Sequence, residues 1–296
     1  MTAVVRSSTA SRWLVPLGLF AAAISLGAGH VCARVAFRHG VGILTAATLR
    51  AGAAVVILFV LLAARRIPFR GPPRELRGTI VLGLCVVVQT LLIQFAVKRL
   101  PVTLAILVFY TYPLLTAAAT SLLGDHRLTP GRVITLLLAF GGLTLVLGVE
   151  AATIDLVGLA AAFGASIAFT SALILTPRLA PSLAAPLRTF LMLATAASVF
   201  AIATVAADAF ALPEAPEALA GLAGLVLFYA CGFVALFLLL PRLGAVQSAL
   251  ILNLEPVAVA VIAWLTIGET LSLVQCAGAG IVVATVLADR LRTPAS

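Results

Sequence analysis

LPVTLAILVFYTYP, residues 100 to 113, and LGAVQSALILNLEP, residues 243 to 256, fall on each other without a gap when the chain is slid by 143 residues. Each is an apolar run that closes on a proline beside a polar side chain, Tyr112-Pro113 in the first and Glu255-Pro256 in the second. The same shift lays Arg99 on Arg242 and Gly78 on Gly221. Beyond the prolines, LLGDHRLT (122–129) and TIGETLS (266–272) share a glycine–acid step after one residue of slippage. A shift of 138 superposes Leu49-Arg50 on Leu187-Arg188, and the five-residue difference is assigned to the loop around Asp208 to Glu217. Alanine- and leucine-rich segments resemble one another by composition alone. A shared arginine, proline and glycine–acid step at consistent offsets does not follow from composition, so the chain reads as a duplication.

The solvent for that duplicated unit is set by composition. Of 296 residues 63% are hydrophobic and 10% charged, and the mean hydropathy is +1.22. No soluble core of this length buries so much apolar surface, which points to a bilayer. A spanning helix needs about 20 mostly apolar residues. Ten runs qualify: 14–37, 42–63, 78–97, 101–123, 131–149, 155–176, 185–207, 218–241, 245–267 and 272–289. They are too long and too irregular in alternation for strands. The expected fold class is therefore all-α integral membrane. Each copy holds five helices, 13–149 and 150–289, between tails at 1–12 and 290–296. An odd number of crossings makes the second copy enter from the opposite side, giving an inverted repeat of the kind transporters use.

Basic residues set the orientation. With the N-terminus inside, fourteen arginines, among them Arg65, Arg127, Arg178, Arg188 and Arg242, fall on the inner side, against Arg38, Lys98 and Arg99 outside. The positive-inside rule then places both termini in the cytoplasm and the protein in the cytoplasmic (inner) membrane. The pI near 10.7 is thus a topology signal and gives no reason to invoke nucleic acid. Cys32, Cys85, Cys231 and Cys276 stand singly in separate apolar segments, without metal-ligand spacing, and read as small apolar fillers. No metal or other cofactor is expected.

The prolines and the deep charges carry the functional reading. Proline in a helix lacks an N–H and clashes with the carbonyl four residues back, so Pro113 should free Phe109 and Pro256 should free Leu252. Irregular backbone at membrane depth survives only against protein or a wet cavity. Helices 4 and 9 are thus expected to hinge at mid-membrane, facing each other. Glu255 is too deep to snorkel. A charge there costs about 2.5–3.5 kcal/mol even on the lenient insertion scale, so it must face the interior, beside a partner or a cargo group. It could exchange protons, contact a cation, or secure the kink by a hydrogen bond. Arg50 lies deep in the second span, within snorkelling reach of the outer surface, as a structural anchor or an anion-binding group. His30 and Arg34 stand one turn apart on the first helix, and His30 could titrate near neutral pH.

Softer candidates accompany them. Tyr110 and Tyr112 align with Asn253 and Glu255, so polar groups recur at matched depth. Two residues apart is about 200° on a helix, so one member of each pair should line a cavity and the other pack between helices. Gln89, Ser166, Thr170 and Tyr229 supply further uncharged contacts, and Trp264 reads as an interface anchor. The cavity is expected between helices 1, 3, 4, 6, 8 and 9. Catalysis is not expected. The chain has no metalloprotease, nucleophile-elbow or phosphate-loop pattern, and only one deep carboxylate where an intramembrane aspartyl protease needs two.

The stretch LEPVAVAVIAWLTIGETLS (254–272) resembles the glutamate–proline, apolar run, glycine–glutamate pattern of the EamA-like family of the drug/metabolite transporter superfamily. The resemblance extends over about 13–289. It implies a carrier of small polar, amino-acid-like metabolites with export as its direction, as monomer or homodimer, with proton coupling left open. A lipid-linked or amphiphilic cargo on the same fold, or an ungated facilitator, stays open too. The chain departs from the family pattern at Tyr112-Pro113 and Gly124-Asp125, at SLGAGHVCAR (25–34), and in displaced glycines of the fifth and tenth helices.

Overall fold

The computed structural model describes residues 9–125, 129–148, 155–268 and 270–292. Arg127, Glu269 of the glycine–acid step, the 149/150 boundary between copies and most of both tails lie outside them. All regular structure among the described residues is helical. The helices are α1 Thr9–Arg38, α2 Ile43–Ala64, α3 Pro73–Val97, α4 Val102–Phe109, α5 Tyr112–Leu122, α6 Pro130–Leu147, α7 Leu156–Leu179, α8 Ala185–Ala206, α9 Pro216–Leu243, α10 Ala245–Leu252, α11 Leu254–Ile267 and α12 Leu273–Arg292. With α4–α5 and α10–α11 each taken as one crossing, nine spans among the described residues are long and apolar enough to cross a membrane, and Leu273–Asp289 is a shorter apolar one. The protein is a multi-pass membrane protein.

The duplication is visible in the helix starts. α3 and α9 begin at Pro73 and Pro216, α4 and α10 at Val102 and Ala245, α6 and α12 at Pro130 and Leu273, each pair 143 apart. α2 and α8 run Ile43–Ala64 and Ala185–Ala206, offset by 142 at both ends. The 138-residue shift that superposed Arg50 on Arg188 is therefore not the structural register. Two Leu-Arg pairs in alanine-rich helices matched by composition, and Arg50 in fact sits about one turn further from its helix start than Arg188 does. Packing follows the same exchange: α1 lies along α9 as α3 lies along α7, while α2 meets α8, α6 meets α12 and α5 meets α10. At Gly78 an added Cβ would lie 2.7 Å from the Leu179 carbonyl, and at Gly221 2.8 Å from the Ala36 amide. Those two contacts are related by the same 143-residue step, since 36 + 143 = 179 and 78 + 143 = 221.

Membrane helices gain little from apolar burial against one another, so close backbone packing at small residues carries their association. One such close approach joins α6 to α12. A Cβ at Gly278 would stand 2.6 Å from the Gly142 carbonyl and one at Gly142 3.0 Å from the Gly278 carbonyl. Gly278→Leu should therefore force this pair apart at a cost of about 1–3 kcal/mol, as overpacking does in a tight core. Gly280→Leu on the same helix, where nothing lies within 4 Å, should be silent. Thermal unfolding of the two variants in one detergent checks this, and equal midpoints would refute it.

Side chains cap the starts of α6 and α7. Asp155 accepts the amides of Val157 (2.8 Å) and Gly158 (3.1 Å) at the start of α7 and meets Arg99 Nη1 at 3.0 Å across the halves. These contacts, the Gly158 amide first and the Arg99 guanidinium next, hold its carboxyl below the usual carboxylate range. A lowered folded value stabilises the fold above the unfolded pKa and is lost as pH falls through the folded one. Asp155→Ala should thus lower the unfolding midpoint at neutral pH, and the difference from wild type should vanish under acid conditions that protonate the carboxyl in both states. A difference that persists unchanged in acid would show that the carboxylate charge is not its source.

Candidate functional site

Helices 4 and 9 are not merely bent. Each is broken in two, between Phe109 and Tyr112 and at Asn253. The prolines sit in the first turns of α5 and α11, where a missing N–H costs little because the first amides of a helix have no intrahelical partner. Ahead of each proline the chain closes one tighter turn, Thr111 N to Val108 O at 3.2 Å and Asn253 N to Leu250 O at 3.2 Å. Polar side chains dress the first break from α7. Ser166 Oγ meets Thr111 Oγ1 at 2.9 Å, and Thr170 Oγ1 donates to the Tyr112 carbonyl at 3.2 Å, which also accepts Thr116 Oγ1 at 2.7 Å. Irregular backbone is thus satisfied by protein, as it must be at this depth.

Glu255 opens α11 just past the second break. Its Oε1 lies 2.7 Å from His30 Nε2, with the Glu255 side chain 14% exposed and that of His30 51% exposed. α1 comes this close because Gly27 packs against the Glu255 carbonyl. Tyr110, Tyr112 and Tyr229 all stand near the same carboxylate. Arg50 stacks on the face of Tyr229, its guanidinium carbon 4.2 Å from the ring centre. Such a contact contributes about 0.5–2 kcal/mol. The aromatic face on α9 thus holds the Arg50 side chain. Helix 2 therefore joins the site. Arg34, exposed, stands one turn from His30 on α1.

Beneath this group the bundle is sealed by rings. Tyr110 and Tyr112 are both buried, with centroids 5.5 Å apart, so the expectation that they take opposite faces fails. It assumed a continuous helix, and the break rotates the second tyrosine onto the side of the first. Phe169 meets Tyr112 edge-on at 4.9 Å, Phe109 fills between them, and the Tyr112 hydroxyl reaches the Ala249 carbonyl on α10 at 3.4 Å. Tyr229 stacks on Phe233 at 5.1 Å, and Phe233 packs on Phe237. Asn253 is buried at the second break with its side-chain oxygen unpartnered among the described residues. Gln89 is half-buried on α3, accepting from Thr90 Oγ1 at 3.4 Å. Ser166 backs the break and not the carboxylate. The ring layer was not anticipated, though the spacing of four in Tyr229, Phe233 and Phe237 marks one helix face and would have found part of it.

His30, Tyr229 and Arg50 have no polar counterparts in the other half. Under the 143-residue step Leu173 stands for His30 and Val86 for Tyr229, and under the 142-residue register of α2 and α8 Met192 stands for Arg50. Near the Arg50–Tyr229 contact, Leu49, Gly52, Leu222 and Val226 line an apolar groove of about 540 Å³ between α2 and α9. Among the described residues no cluster of three metal-ligating side chains occurs.

The comparisons with known proteins bear on this arrangement. None of the curated proteins matches the chain. A solved structure described as "Crystal structure of protein" is similar over 94% of this chain and 97% of its own, with a TM-score of 0.73 at 20% identity, which is a likeness of fold. The model of the EamA-like transporter family matches twice, over residues 13–148 and 153–288. With nearly its whole length covered by those two matches, the chain belongs to the EamA-like transporter family.

Proposed function

We infer that the protein is a secondary transporter that moves small polar metabolites, amino-acid-like in size and character, out of the cell by alternating access. Membership of a transporter family supports transport across a membrane. The observation that carries the finer reading is the His30–Glu255 contact, an imidazole and a carboxyl at mid-span, with the histidine half exposed above a layer of packed rings. A group open on one side and sealed on the other is what a carrier caught in one access state presents. With both termini in the cytoplasm, the open side is the outer one, where the 39–42 and 207–215 loops lie. Helices 4 and 9, each broken beside the site, are the elements whose joints would exchange the seal from one side to the other, with the two five-helix halves inverted in the membrane. Glu255 and His30 would take up and release a proton, and Arg50 and Arg34 would face an acidic group of the cargo.

The test is untargeted metabolite profiling of cells with and without the protein, followed by flux of each hit into vesicles containing the purified chain, with and without a proton gradient. Movement of hits that no gradient accelerates would turn the reading into a facilitator. Absence of any differential metabolite would remove it. The apolar groove between α2 and α9 favours one second reading, an amphiphilic cargo entering sideways with its polar end toward Arg50. That cargo would appear in lipid extracts and not in aqueous ones.

A further inference from the structure

A different place in the bundle carries a ligand site of its own. The C-terminal ends of α2 and α9 and the start of α8 meet at one face. There Leu61, Ile67, Pro186 and Leu239 line a second groove of about 540 Å³, and two arginines, Arg65 and Arg242, belong to the same lining. Both arginines are exposed. Several other charged groups near this end have at least one partner. Arg178 pairs with Asp125, and the buried Arg188 donates to the Ala180 carbonyl at 3.0 Å. The Glu75 carboxylate takes Ser182 Oγ at 2.6 Å and the amides of Ser182 and Leu183. Arg65 and Arg242 meet no acceptor and no ring among the described residues.

We propose that this groove binds an anionic phospholipid, one acyl chain lying on Leu61, Ile67, Pro186 and Leu239 and the phosphodiester bridging Arg65 and Arg242. Two features fix the chemistry. The groove is apolar and opens at the ends of membrane-spanning helices, where hydrocarbon is the filling solvent. Two guanidiniums at its mouth leave positive charge that a phosphate oxygen pair answers with bidentate geometry. Free phosphate would leave the apolar wall unused. A zwitterionic lipid would bring its own cation beside the two arginines. Basic pockets between helices at the membrane surface have this character generally. α2 belongs to the first copy and α8 and α9 to the second, so the lipid would bind across both halves.

Native mass spectrometry of the purified full chain, titrated with phosphatidylglycerol and with phosphatidylcholine of the same acyl chains, tests it. Phosphatidylglycerol should bind more tightly. The double variant Arg65→Gln/Arg242→Gln should lose about thirtyfold of that affinity, about 2 kcal/mol at roughly 1 kcal/mol per arginine. Leu239→Trp, which fills the groove with both arginines intact, should lose it as well. Arg70→Gln/Arg74→Gln removes equal charge from the same end outside the groove and should change nothing. Circular dichroism and gel filtration confirm that each variant folds. Equal retention of phosphatidylcholine, an equal loss in the Arg70/Arg74 variant, or displacement of the lipid by inorganic phosphate would each overturn the proposal.

Discussion

Glu255→Gln is expected to abolish accumulation of cargo against its gradient while leaving insertion and folding intact. Glutamine keeps the shape and can still accept a hydrogen bond from His30, so the packing around Gly27 and the second helix break has no reason to change. What disappears is the charge, and with it the only mid-span carboxylate among the described residues. If Glu255 and His30 pass a proton between them at 2.7 Å, the variant carries cargo downhill only, and its accumulation ratio in vesicles falls to that of protein-free controls. His30→Gln should produce the same collapse, because a proton exchange needs both partners. Wild-type accumulation ratios in Glu255→Gln would retire proton coupling at this pair and leave the carboxylate a structural role.

Replacing both prolines, Pro113→Ala/Pro256→Ala, is expected to slow transport about tenfold or more while raising thermal stability. Each proline stands two or three residues past a joint and holds it open by having no amide to give. Alanine restores amides at 113 and 256, which can bond the Phe109 and Leu252 carbonyls and draw α4–α5 and α10–α11 toward continuous helices. A gain of about 1.4 kcal/mol for the joined form over the transition between access states is enough for a tenfold fall in rate. Binding of cargo at equilibrium should change far less than the rate. Initial flux into vesicles alongside thermal unfolding reads out both quantities. Unaltered flux with raised stability would mean that the joints do not move during transport.

The spans were legible because a bilayer demands long apolar runs, and most boundaries agree within a few residues. The exceptions are instructive. The third run was expected from 78, whereas α3 begins at Pro73. Arg74, Glu75 and Arg77 lower the local hydropathy, yet proline is well placed in a helix's first turn and Glu75 is held by the Ser182 and Leu183 amides. The repeat was legible at Gly78 and Gly221, which meet α7 and α1 in matching fashion, and misread at Arg50, where an alanine-rich background offers no marker of register. At the site, a lone mid-span carboxylate could be expected to find a partner. That the partner is His30, or that Arg50 turns to Tyr229, depends on how α1, α2 and α9 cross, which no periodicity within one helix encodes. The tyrosine pair failed for a related reason: a 200° separation holds only while the helix continues, and the sequence marks the proline more clearly than the extent of the break.

The chemical lopsidedness of the duplicated scaffold has a last consequence. A carrier whose two mouths were alike would seize and discharge its passenger with equal ease from either compartment. Here His30, Arg50 and Tyr229 stand together in one place, and their equivalents in the repeat, Leu173, Met192 and Val86, are buried in the core. If transport presents these two sets of residues to opposite compartments, half-saturation concentrations measured from the two sides of an oriented vesicle should differ, while the ratio of maximal rate to half-saturation stays equal in both directions, since asymmetry alone drives no net flow.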